Sequence, residues 1–496
     1  MSRAATGAAG TARAAGAASR ATPDAGMGAA QGAGSMPGAS AGAGPGGGGD
    51  HFWQGEWIDD GEVGRRLPEL ADVAASALAD PIEPEVVIAA CDRLAAALTD
   101  PTRPHPAQQH LLDLPAGRAD AGLDELAGFL RGSWLRRTVQ RELGSEPRDG
   151  AVRERWAPVG LLVHVVPGNI ATAGPLSLVE GLLTGNVNAV KTSAGSPTFT
   201  QRVAAALVEI EPRLAPYVIV LRVASRDRLW MRQLCAPADT VAVWGSDEAV
   251  AGVAAYVPSG TPVVAWGPKI SFTYLGRDAW LDGAIQQALA ADICRYDQQA
   301  CSSPQVVYLD VDDADELFAG AASIAAGLSR VDRQRAAAVP DRDEQAEITN
   351  VVTVARQEQH LGLTRVWSDP GQRWHVLADT RPALRASPLF RTLWVKPLPP
   401  DRSVPVLRPM RRYLQTVGLA PGRQDADRLS RSLVAAGALR ITAVGAMHDS
   451  YAGEPHDGQY ALRRYSRRVS DSRGAAADTN LGGSAVVDDP VGGQRH

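Results

Sequence analysis

Pro158-Val-Gly-Leu-Leu-Val-His-Val-Val-Pro167 is a short and nearly continuous apolar run. Runs of this kind are typical of a strand that is buried on both faces of a parallel sheet. Gly168 and Asn169 follow it, and the next apolar stretch predicts a helix from about 175 to 183. The segment therefore predicts the first strand–helix unit of an α/β fold with a parallel sheet.

Further strands follow this unit at regular intervals along the chain. They are predicted at 186–191, 218–223, 240–244, 262–266 and 271–275, with helices between them, one of them over 197–210. Parallel strands joined by helices form right-handed units, and ligands bind at the carboxyl ends of such strands. Small or polar residues stand directly after four of these strands: Asn169, Lys191, Gly245 with Ser246, and Gly267 with Lys269. This edge of the sheet is therefore the predicted binding edge.

The two ends of the chain differ from its middle in composition. Residues 1–50 are mostly Ala, Gly and Ser, and residues 474–496 return to Gly, Ala and Asp. Such segments bury too little apolar surface to offset the entropy lost on ordering, so both are predicted to be disordered. Between 68 and 145, by contrast, apolar residues recur at helical spacing and predict a helical region ahead of the sheet.

Cys301 stands between a predicted helix and the predicted strand 306–309. Pro304 has no N–H and disfavours helical backbone at Ser303, so Cys301 is expected on a loop. A thiolate on a loop can meet a ligand, and it is both a strong nucleophile and a good acyl carrier. The alternative is a buried cysteine that packs as a small apolar side chain.

The residues after Leu309 predict a second α/β unit that ends near 445. A helix is predicted over 313–328, and the charged stretch 330–342 is predicted to be solvated. The basic run Arg463-Arg-Tyr-Ser-Arg-Arg468 is interpreted as a solvated face or a subunit contact rather than an anion site. The predicted domains are 51–268 with the helices and the first sheet, 269–445 with Cys301, and a C-terminal segment at 446–473.

Composition narrows the classes of protein to consider. The formal net charge of −5 gives no basis for a nucleic-acid partner, and no apolar run approaches the ~20 residues of a membrane span. The N-terminus lacks the apolar core of a secretory signal. Four scattered cysteines have no metal-ligand spacing, so no metal site is expected, and the count fits a reducing cytoplasm.

Several phrases of the sequence resemble the aldehyde dehydrogenase superfamily. They are Pro167-Gly-Asn169, Val190-Lys-Thr-Ser193, Trp244-Gly-Ser246, Gly267-Pro-Lys269 and Gln299-Ala-Cys-Ser-Ser-Pro-Gln305. Within that superfamily the chain is similar to the acyl-CoA reductase (LuxC-like) branch. The phrases that carry this narrower resemblance are Asp297-Gln-Gln-Ala-Cys-Ser-Ser-Pro-Gln305, Leu414-Gln-Thr-Val417 and His456-Asp-Gly458.

The resemblance implies an aldehyde dehydrogenase-like α/β fold, with a Rossmann-type cofactor domain, an α/β catalytic domain and a small oligomerisation arm. It also implies a homo-oligomer. The implied reaction is acyl transfer to Cys301, release of coenzyme A, and hydride delivery from NADPH to give an aldehyde. The acyl donor is then an acyl-CoA, an acyl-carrier thioester, or an acyl-protein synthetase that hands the acyl group over as a partner.

The resemblance also assigns roles to single residues. Asn169 is expected to donate an N–H to the oxyanion beside the Cys301 backbone N–H; the alternative is a turn residue after glycine. Lys191 is expected at the adenosine ribose, and the alternative is an exposed lysine at a strand end. Gly245 and Ser246 are expected at the pyrophosphate, and a plain turn is the alternative.

Three departures from the superfamily pattern refine the expected reaction. Ala265 stands where oxidising members carry the glutamate that activates water, which favours reduction over hydrolysis of the acyl-enzyme. Ala194 stands where NAD-preferring members place an acid, so a 2′-phosphate is expected beside Lys191 and Ser193, and hence NADPH. The segment Ser387-Pro-Leu-Phe-Arg391 lacks the glutamate that holds the nicotinamide ribose, and the sequence does not explain how that ribose is positioned.

Some assignments stay open at this point. His164 and His456 are candidate proton donors, and for His164 the alternative is a satisfied core histidine. An oxidatively working NAD(P)-dependent aldehyde dehydrogenase and a catalytically silent scaffold subunit are the two other functions considered. Ala265 argues against the first of these, and the presence of both Asn169 and Cys301 argues against the second.

Overall fold

The structure is a computed structural model that describes residues 49–100, 119–144, 148–149, 152–168, 171–194, 198–421 and 426–473. The predicted disordered segment 474–496, and all but the last two residues of 1–50, lie outside these ranges. Three sheets occur in the described part of the chain, two with seven strands and one with three. None of the helices in these ranges is long and apolar enough to cross a membrane.

Strands and helices are numbered here in chain order over the described residues. The strands are β1 His51–Trp53, β2 Glu56–Ile58, β3 Arg148–Asp149, β4 Val152–Pro158, β5 Leu161–Val165, β6 Val187–Ser193, β7 Val218–Val223, β8 Thr240–Trp244, β9 Val263–Trp266, β10 Ile270–Leu275, β11 Pro304–Leu309, β12 Thr364–Ser368, β13 His375–Asp379, β14 Thr392–Pro397, β15 Leu414–Ala420, β16 Arg440–Ala443 and β17 Ser466–Asp471. The helices are α1 Asp60–Arg66, α2 Leu70–Leu78, α3 Pro84–Thr99, α4 Ala119–Leu130, α5 Gly132–Leu143, α6 Ala173–Leu183, α7 Phe199–Ile210, α8 Arg228–Cys235, α9 Asp247–Ala254, α10 Gly283–Cys294, α11 Ala314–Asp332, α12 Arg342–Gln359, α13 Ser403–Leu407, α14 Ala426–Ala436 and α15 Ala461–Arg464.

The first sheet confirms the parallel sheet predicted from the apolar runs. Its order is β2-β1-β7-β6-β5-β8-β9, and the five strands from β7 to β9 in this order run parallel to one another. The antiparallel hairpin β1–β2 extends the β7 edge. Because β5 pairs with β6 on one side and with β8 on the other, the strand order reverses there, and such a switch point is where ligands bind.

The first predicted strand is shorter in the structure than the apolar run. Pro158 ends β4, and the chain then turns at Gly160, which has a φ of 132°. A side chain at Gly160 would overlap the carboxylate of Asp239, which accepts a hydrogen bond from the Leu161 N–H at 2.7 Å. The glycine therefore separates two strands that the apolar pattern joined.

The second sheet contains the predicted second α/β unit. Its order is β12-β13-β14-β11-β10-β15-β16, with every pair parallel except β12–β13. The prediction of a solvated stretch at 330–342 is wrong at Asp332, which is buried at the end of α11. Its carboxylate pairs with Arg391 at 2.5 Å and with Arg373 at 2.7 Å, which offsets the cost of burying it.

A small antiparallel sheet, in the order β17-β4-β3, joins segments distant in the sequence. Its register runs from Ser466 opposite Pro158 to Asp471 opposite Arg153. Residues 153–158 therefore pair with the C-terminal segment, although the sequence places them beside the first sheet, and β3 pairs with β4. The boundaries of the domains stay a prediction.

Candidate active site

Cys301 lies on the loop between α10 and β11, as its neighbours predict. It is exposed, whereas the other three cysteines, Cys91, Cys235 and Cys294, are buried. Burial raises the pKa of Cys235 and Cys294 to about 11, so these thiols stay protonated at neutral pH. Exposure sets Cys301 apart from them and favours the nucleophile over the small buried side chain.

The backbone before Cys301 has an unusual shape. Asp297 and Gln298 both adopt a positive φ, 51° and 64°, which residues other than glycine rarely do. The Gln298 side chain donates to the Pro304 carbonyl at 2.8 Å, and the Ser303 N–H donates to the Ala300 carbonyl at 2.9 Å. These bonds close the loop on itself around Cys301.

Arg391 braces this loop from the segment Ser387-Pro-Leu-Phe-Arg391, which was compared above with the nicotinamide-ribose segment of the superfamily. Its guanidinium is fully buried and donates to Asp297 at 2.5 Å, to Asp332 at 2.5 Å and to the Ala336 carbonyl at 2.7 Å. Leu389, Phe390 and Arg391 all have a positive φ, and the Phe390 N–H donates to the Asp297 carbonyl at 2.9 Å. Each such residue costs about 1–3 kcal/mol, which the ion pairs and hydrogen bonds of this segment offset.

The amino ends of β10, β11 and β15 meet at Cys301. Ser271 on β10 donates its hydroxyl to the Cys301 carbonyl at 2.6 Å and accepts the Thr416 N–H at 3.1 Å. On β15, the Gln415 amide nitrogen donates to Asp457 at 2.7 Å. The Asp457 carboxylate in turn lies 3.7 Å from the Lys269 ammonium.

His456 and Asp457 connect this site to the first sheet. The His456 ring lies 4.9 Å from the Trp244 ring and 5.1 Å from the Trp266 ring, centre to centre. These two tryptophans end β8 and β9, and their rings stack at 5.4 Å. His456 therefore faces the carboxyl ends of the first sheet, while Asp457 faces Cys301 through Gln415. Burial lowers the pKa of His456, against the opposing effect of Asp457.

The surroundings of the Cys301 thiol act on its pKa in both directions. Desolvation by neighbouring atoms raises the pKa above its ordinary value, and the Asp457 carboxylate adds to the rise. Hydrogen bonds from the Gln415 side chain and from the Ser302 backbone oppose it. A nearby hydrogen-bond donor is therefore needed to hold this sulfur as a thiolate.

Lys191 and Ser193 lie at the carboxyl end of β6. Lys191 is 2% exposed, so it is not the exposed strand-end lysine considered as the alternative. Burial lowers its pKa to about 8. Its ammonium donates to Ser225 Oγ at 2.9 Å and has no carboxylate partner within the described residues. A buried cation with this surrounding fits an anionic or polyhydroxyl ligand such as an adenosine ribose or its 2′-phosphate.

Gly245 and Ser246 connect β8 to α9. A Cβ on Gly245 would lie 3.0 Å from the Ala249 side chain, and its φ of 155° is one that other residues rarely adopt, so the turn into α9 favours glycine here. Ser246 caps α9, and its hydroxyl accepts the Ala249 N–H at 3.2 Å. The first turn already holds Asp247 and Glu248. The turn itself explains Gly245, and its contact with a pyrophosphate stays a prediction.

The family model described as "Acyl-CoA reductase (LuxC)" matches residues 80–468. The chain belongs to this family. Two curated relatives are long-chain acyl-protein thioester reductases, from Vibrio harveyi, 27% identical over 326 residues, and from Photorhabdus luminescens, 27% identical over 350 residues. These matches cover 64% and 68% of the chain. The chain spans about two thirds of the length of these relatives, 65% and 70%.

Solved structures show the aldehyde dehydrogenase fold of this acyl-CoA reductase family member. A putative aldehyde dehydrogenase from Burkholderia cenocepacia superposes with a TM-score of 0.67 at 18% identity, covering 85% of this chain and 98% of that one. An NAD-dependent benzaldehyde dehydrogenase from Corynebacterium glutamicum gives 0.64 at 15% identity, covering 85% and 98%. The expected fold class is thereby confirmed.

The two candidate proton donors of this family member have different surroundings. His164 is fully buried in β5, and its Nε2 lies 3.1 Å from the Asn188 side-chain oxygen. Burial lowers its pKa to about 4, so it is a neutral core histidine. The expected alternative of a satisfied core histidine is met at Nε2 only, because Nδ1 is buried without a hydrogen-bond partner among the described residues. His456 is the candidate that lies between the first sheet and the Cys301 site, against Trp244 and Trp266. Asn169, the predicted oxyanion donor, lies outside the described residues.

Tertiary structure brings residues to the site that the sequence did not select. Ser302 places its hydroxyl 3.0 Å from His448 Nδ1, and His448 Nε2 donates to the Asp292 carbonyl at 2.8 Å. Burial lowers the pKa of His448 to about 4, so its ring is neutral and Nδ1 accepts the Ser302 proton. Proximity to Cys301 in sequence was the available signal for Ser302, whereas His448 gave none.

Proposed function

We propose that this protein reduces an acyl thioester to the aldehyde through an acyl-enzyme on Cys301, with NADPH as the hydride donor. The observation that carries this proposal is the position of Cys301. Its exposed thiol lies on a braced loop that His456 and Asp457 connect to the carboxyl ends of the first sheet. Membership of the acyl-CoA reductase (LuxC) family supports the same reaction.

The first half of the reaction is acyl transfer to the cysteine. The Cys301 thiolate attacks the carbonyl carbon of the thioester, a new C–S bond forms, and the negative charge moves to the carbonyl oxygen. The Cys301 backbone N–H and the Asn169 side chain are the proposed donors to this oxyanion, and such a donor is worth about 3–4 kcal/mol. The C–S bond of the original thioester then breaks. Its sulfur leaves as a thiolate, takes up a proton, and is released as coenzyme A or as the carrier thiol.

The second half of the reaction converts the acyl-enzyme to the product. A bound reduced nicotinamide supplies the hydride for the acyl carbon. Collapse of the resulting hemithioacetal releases the aldehyde and returns the Cys301 thiolate. Ala265 is exposed and offers no carboxylate to activate water. The acyl-enzyme therefore lacks a base for hydrolysis at that position, which favours reduction.

Lys191 and the residues beside it support NADPH over NADH. Ala194 follows β6 and is exposed, so no acid stands there to repel a 2′-phosphate. Arg226 follows Ser225, the hydrogen-bond partner of Lys191, and is exposed without an ion-pair partner within the described residues. Lys191 and the Ser225 hydroxyl are the groups proposed to hold the phosphate, and Arg226 is proposed beside them from its place in the sequence.

The named relatives point to the substrate class and the partners. They are long-chain acyl-protein thioester reductases, so the proposed acyl group is long and its donor is an acyl-protein or a coenzyme A ester. A synthetase that carries the acyl group is the proposed protein partner. The sheet formed by β3, β4 and β17 is the proposed oligomerisation arm of a cytoplasmic homo-oligomer.

The test is a steady-state assay with a panel of acyl-CoA esters of increasing chain length. Oxidation of NADPH is followed by absorbance, and the aldehyde is trapped as a hydrazone and identified by mass. Cys301→Ala is expected to abolish both signals. The matched control is Cys294→Ala, which changes a buried cysteine seven residues away and is expected to retain activity.

Other outcomes would support a different function. Reduction of NADP⁺ by an aldehyde and water, faster than oxidation of NADPH by any thioester, would favour an oxidative aldehyde dehydrogenase. Absence of nucleotide binding, together with an unreactive Cys301, would favour the silent scaffold. Either result would contradict the proposed function.

A further inference from the structure

Two phrases of the sequence, Leu414-Gln-Thr-Val417 and His456-Asp-Gly458, have no role in the reaction as described so far. The structure brings them together beside Cys301. Gln415 on β15 is 7% exposed, and its amide nitrogen donates to Asp457 at 2.7 Å. The Ser271 hydroxyl lies between this side chain and Cys301, 3.5 Å from the Gln415 amide oxygen and 2.6 Å from the Cys301 carbonyl. We propose that Gln415, oriented by Asp457, donates an N–H to the Cys301 sulfur and stabilises its thiolate form.

The hydrogen-bonding capacity of a glutamine fixes which way its amide faces. A carboxylate accepts hydrogen bonds only, so the group that Gln415 turns to Asp457 is the NH₂. That NH₂ has two protons, and one is taken by Asp457. The other is free to point at the sulfur, while the amide oxygen lies 3.5 Å from the Ser271 hydroxyl. Asp457 thus holds a donor towards the thiolate without touching it.

Ser271 adds a second geometric restraint to this arrangement. Its hydroxyl contacts the Cys301 carbonyl at 2.6 Å and the Thr416 N–H at 3.1 Å, so the backbones on both sides of the proposed bond share one partner. The relative position of Gln415 and Cys301 is therefore fixed through the backbone. In the proposed bond Gln415 contacts the reacting sulfur and is a catalytic residue, whereas Asp457 acts through it as a positioning residue.

The proposed bond serves both halves of the reaction, and so the inference rests on the proposed function. The thiolate exists before acyl transfer and again when the hemithioacetal collapses, and Gln415 stabilises it each time. Other charged or titratable groups surround this cluster. They are Asp457 beside Gln415, Lys269 and His456 beside Asp457, and His448 beside Ser302.

The test measures the pKa of the Cys301 thiol through the pH dependence of its alkylation by iodoacetamide, with peptide mapping to assign the site. Gln415→Met keeps the length of the side chain and removes the donor. It is expected to raise the thiol pKa by about one unit, which lowers the alkylation rate about tenfold below the pKa. Gln415→Glu adds a negative charge and is expected to raise the pKa further.

Gln305→Met is the matched control. Gln305 is also 7% exposed and lies on the neighbouring β11, but its amide bonds the Lys269 carbonyl and the Ser387 N–H. This variant is expected to leave the thiol pKa unchanged. An unchanged pKa in Gln415→Met, with thermal unfolding like that of the wild type, would overturn the proposal. Should Gln415→Met unfold, Gln415→Glu decides the matter, because a glutamate of the same shape that left the pKa unchanged would also overturn it.

Alkylation needs neither a thioester nor a nucleotide. A failure of the reductase assay with a normal response of the thiol pKa would therefore contradict the proposed function alone. A normal reductase with an unresponsive pKa would contradict the role of Gln415 alone.

Discussion

Replacing Arg391 by methionine removes the buried cation that braces the loop of Cys301. The guanidinium has two carboxylate partners, Asp297 and Asp332, each at 2.5 Å. In the variant, Asp332 keeps its pair with Arg373 at 2.7 Å, and Asp297 keeps the Ala338 N–H at 2.9 Å. The variant therefore loses the buried ion pairs of Arg391, while both carboxylates keep one other partner.

The expected loss of stability follows from the burial of these ion pairs. Removing one partner of a buried ion pair costs about 3–5 kcal/mol, because the other charge stays buried without compensation. The remaining partners of Asp297 and Asp332 place Arg391→Met near the lower end, at about 3 kcal/mol of unfolding free energy. The positive φ values at Asp297 and Gln298 also lose their support, so the thiol shifts, and a shift of ~1 Å slows acylation up to ~10²-fold.

The assay is urea denaturation followed by fluorescence, alongside the rate of acylation by an acyl-CoA. Arg381→Met is the control, because Arg381 also pairs with two carboxylates, Asp379 and Glu358, but is 42% exposed. Asp379 keeps Lys396 as a partner at 2.7 Å, so the control should lose less than about 1 kcal/mol. Equal stabilities of Arg391→Met and Arg381→Met would show that the buried ion pairs of Arg391 stabilise the protein no more than the exposed pairs of Arg381.

Three further predictions concern the cofactor and the response to pH. Ala194→Glu should turn the preference from NADPH to NADH, seen in the ratio of kcat/KM values, because the carboxylate repels a 2′-phosphate; an unchanged ratio would count against the phosphate site. The pKa of Lys191 is lowered to about 8, so NADPH affinity measured by fluorescence titration should fall as the pH rises past about 8, and Lys191→Arg should remove this dependence. Burial lowers the pKa of His164 to about 4, below its ordinary 6.5, so the unfolded chain binds the extra proton and stability falls as the pH drops from about 6.5 to 4. His164→Phe should lose less stability than the wild type over that interval in denaturant titrations, and equal losses would show that His164 is not the group responsible.

The five parallel strands of the first sheet, β5 to β9, could be predicted from the sequence because each is an apolar run bounded by breakers, whereas the hairpin β1–β2 was not predicted. The bounds predicted for β7 and β8 are those observed, and α7 begins within two residues of its predicted start. The small sheet could not be predicted in this way. It pairs β4 with β17, and the register of such distant segments depends on tertiary packing that no local pattern encodes.

The nucleophile could be selected from sequence because proline and the strand that follows fix its loop. Its surroundings could not. Gln415 and Asp457 come from segments more than a hundred residues beyond Cys301, and only the folded sheet brings them to the loop of Cys301. Asp332 was predicted wrongly rather than missed. A charged residue in a charged stretch is expected to be solvated, and its burial is explained only by its partner Arg391 in the folded structure.

The intact mass of the protein during a single turnover tests most directly whether Cys301 carries the acyl group. Purified protein is mixed with a long-chain acyl-CoA without nucleotide, and its mass is measured before and after NADPH is added. If Cys301 carries the acyl group, the mass rises by one acyl group that maps to Cys301 and is lost as one equivalent of NADPH is oxidised. Oxidation of NADPH with formation of aldehyde, but with no acyl group on Cys301 at any time, would contradict the central claim.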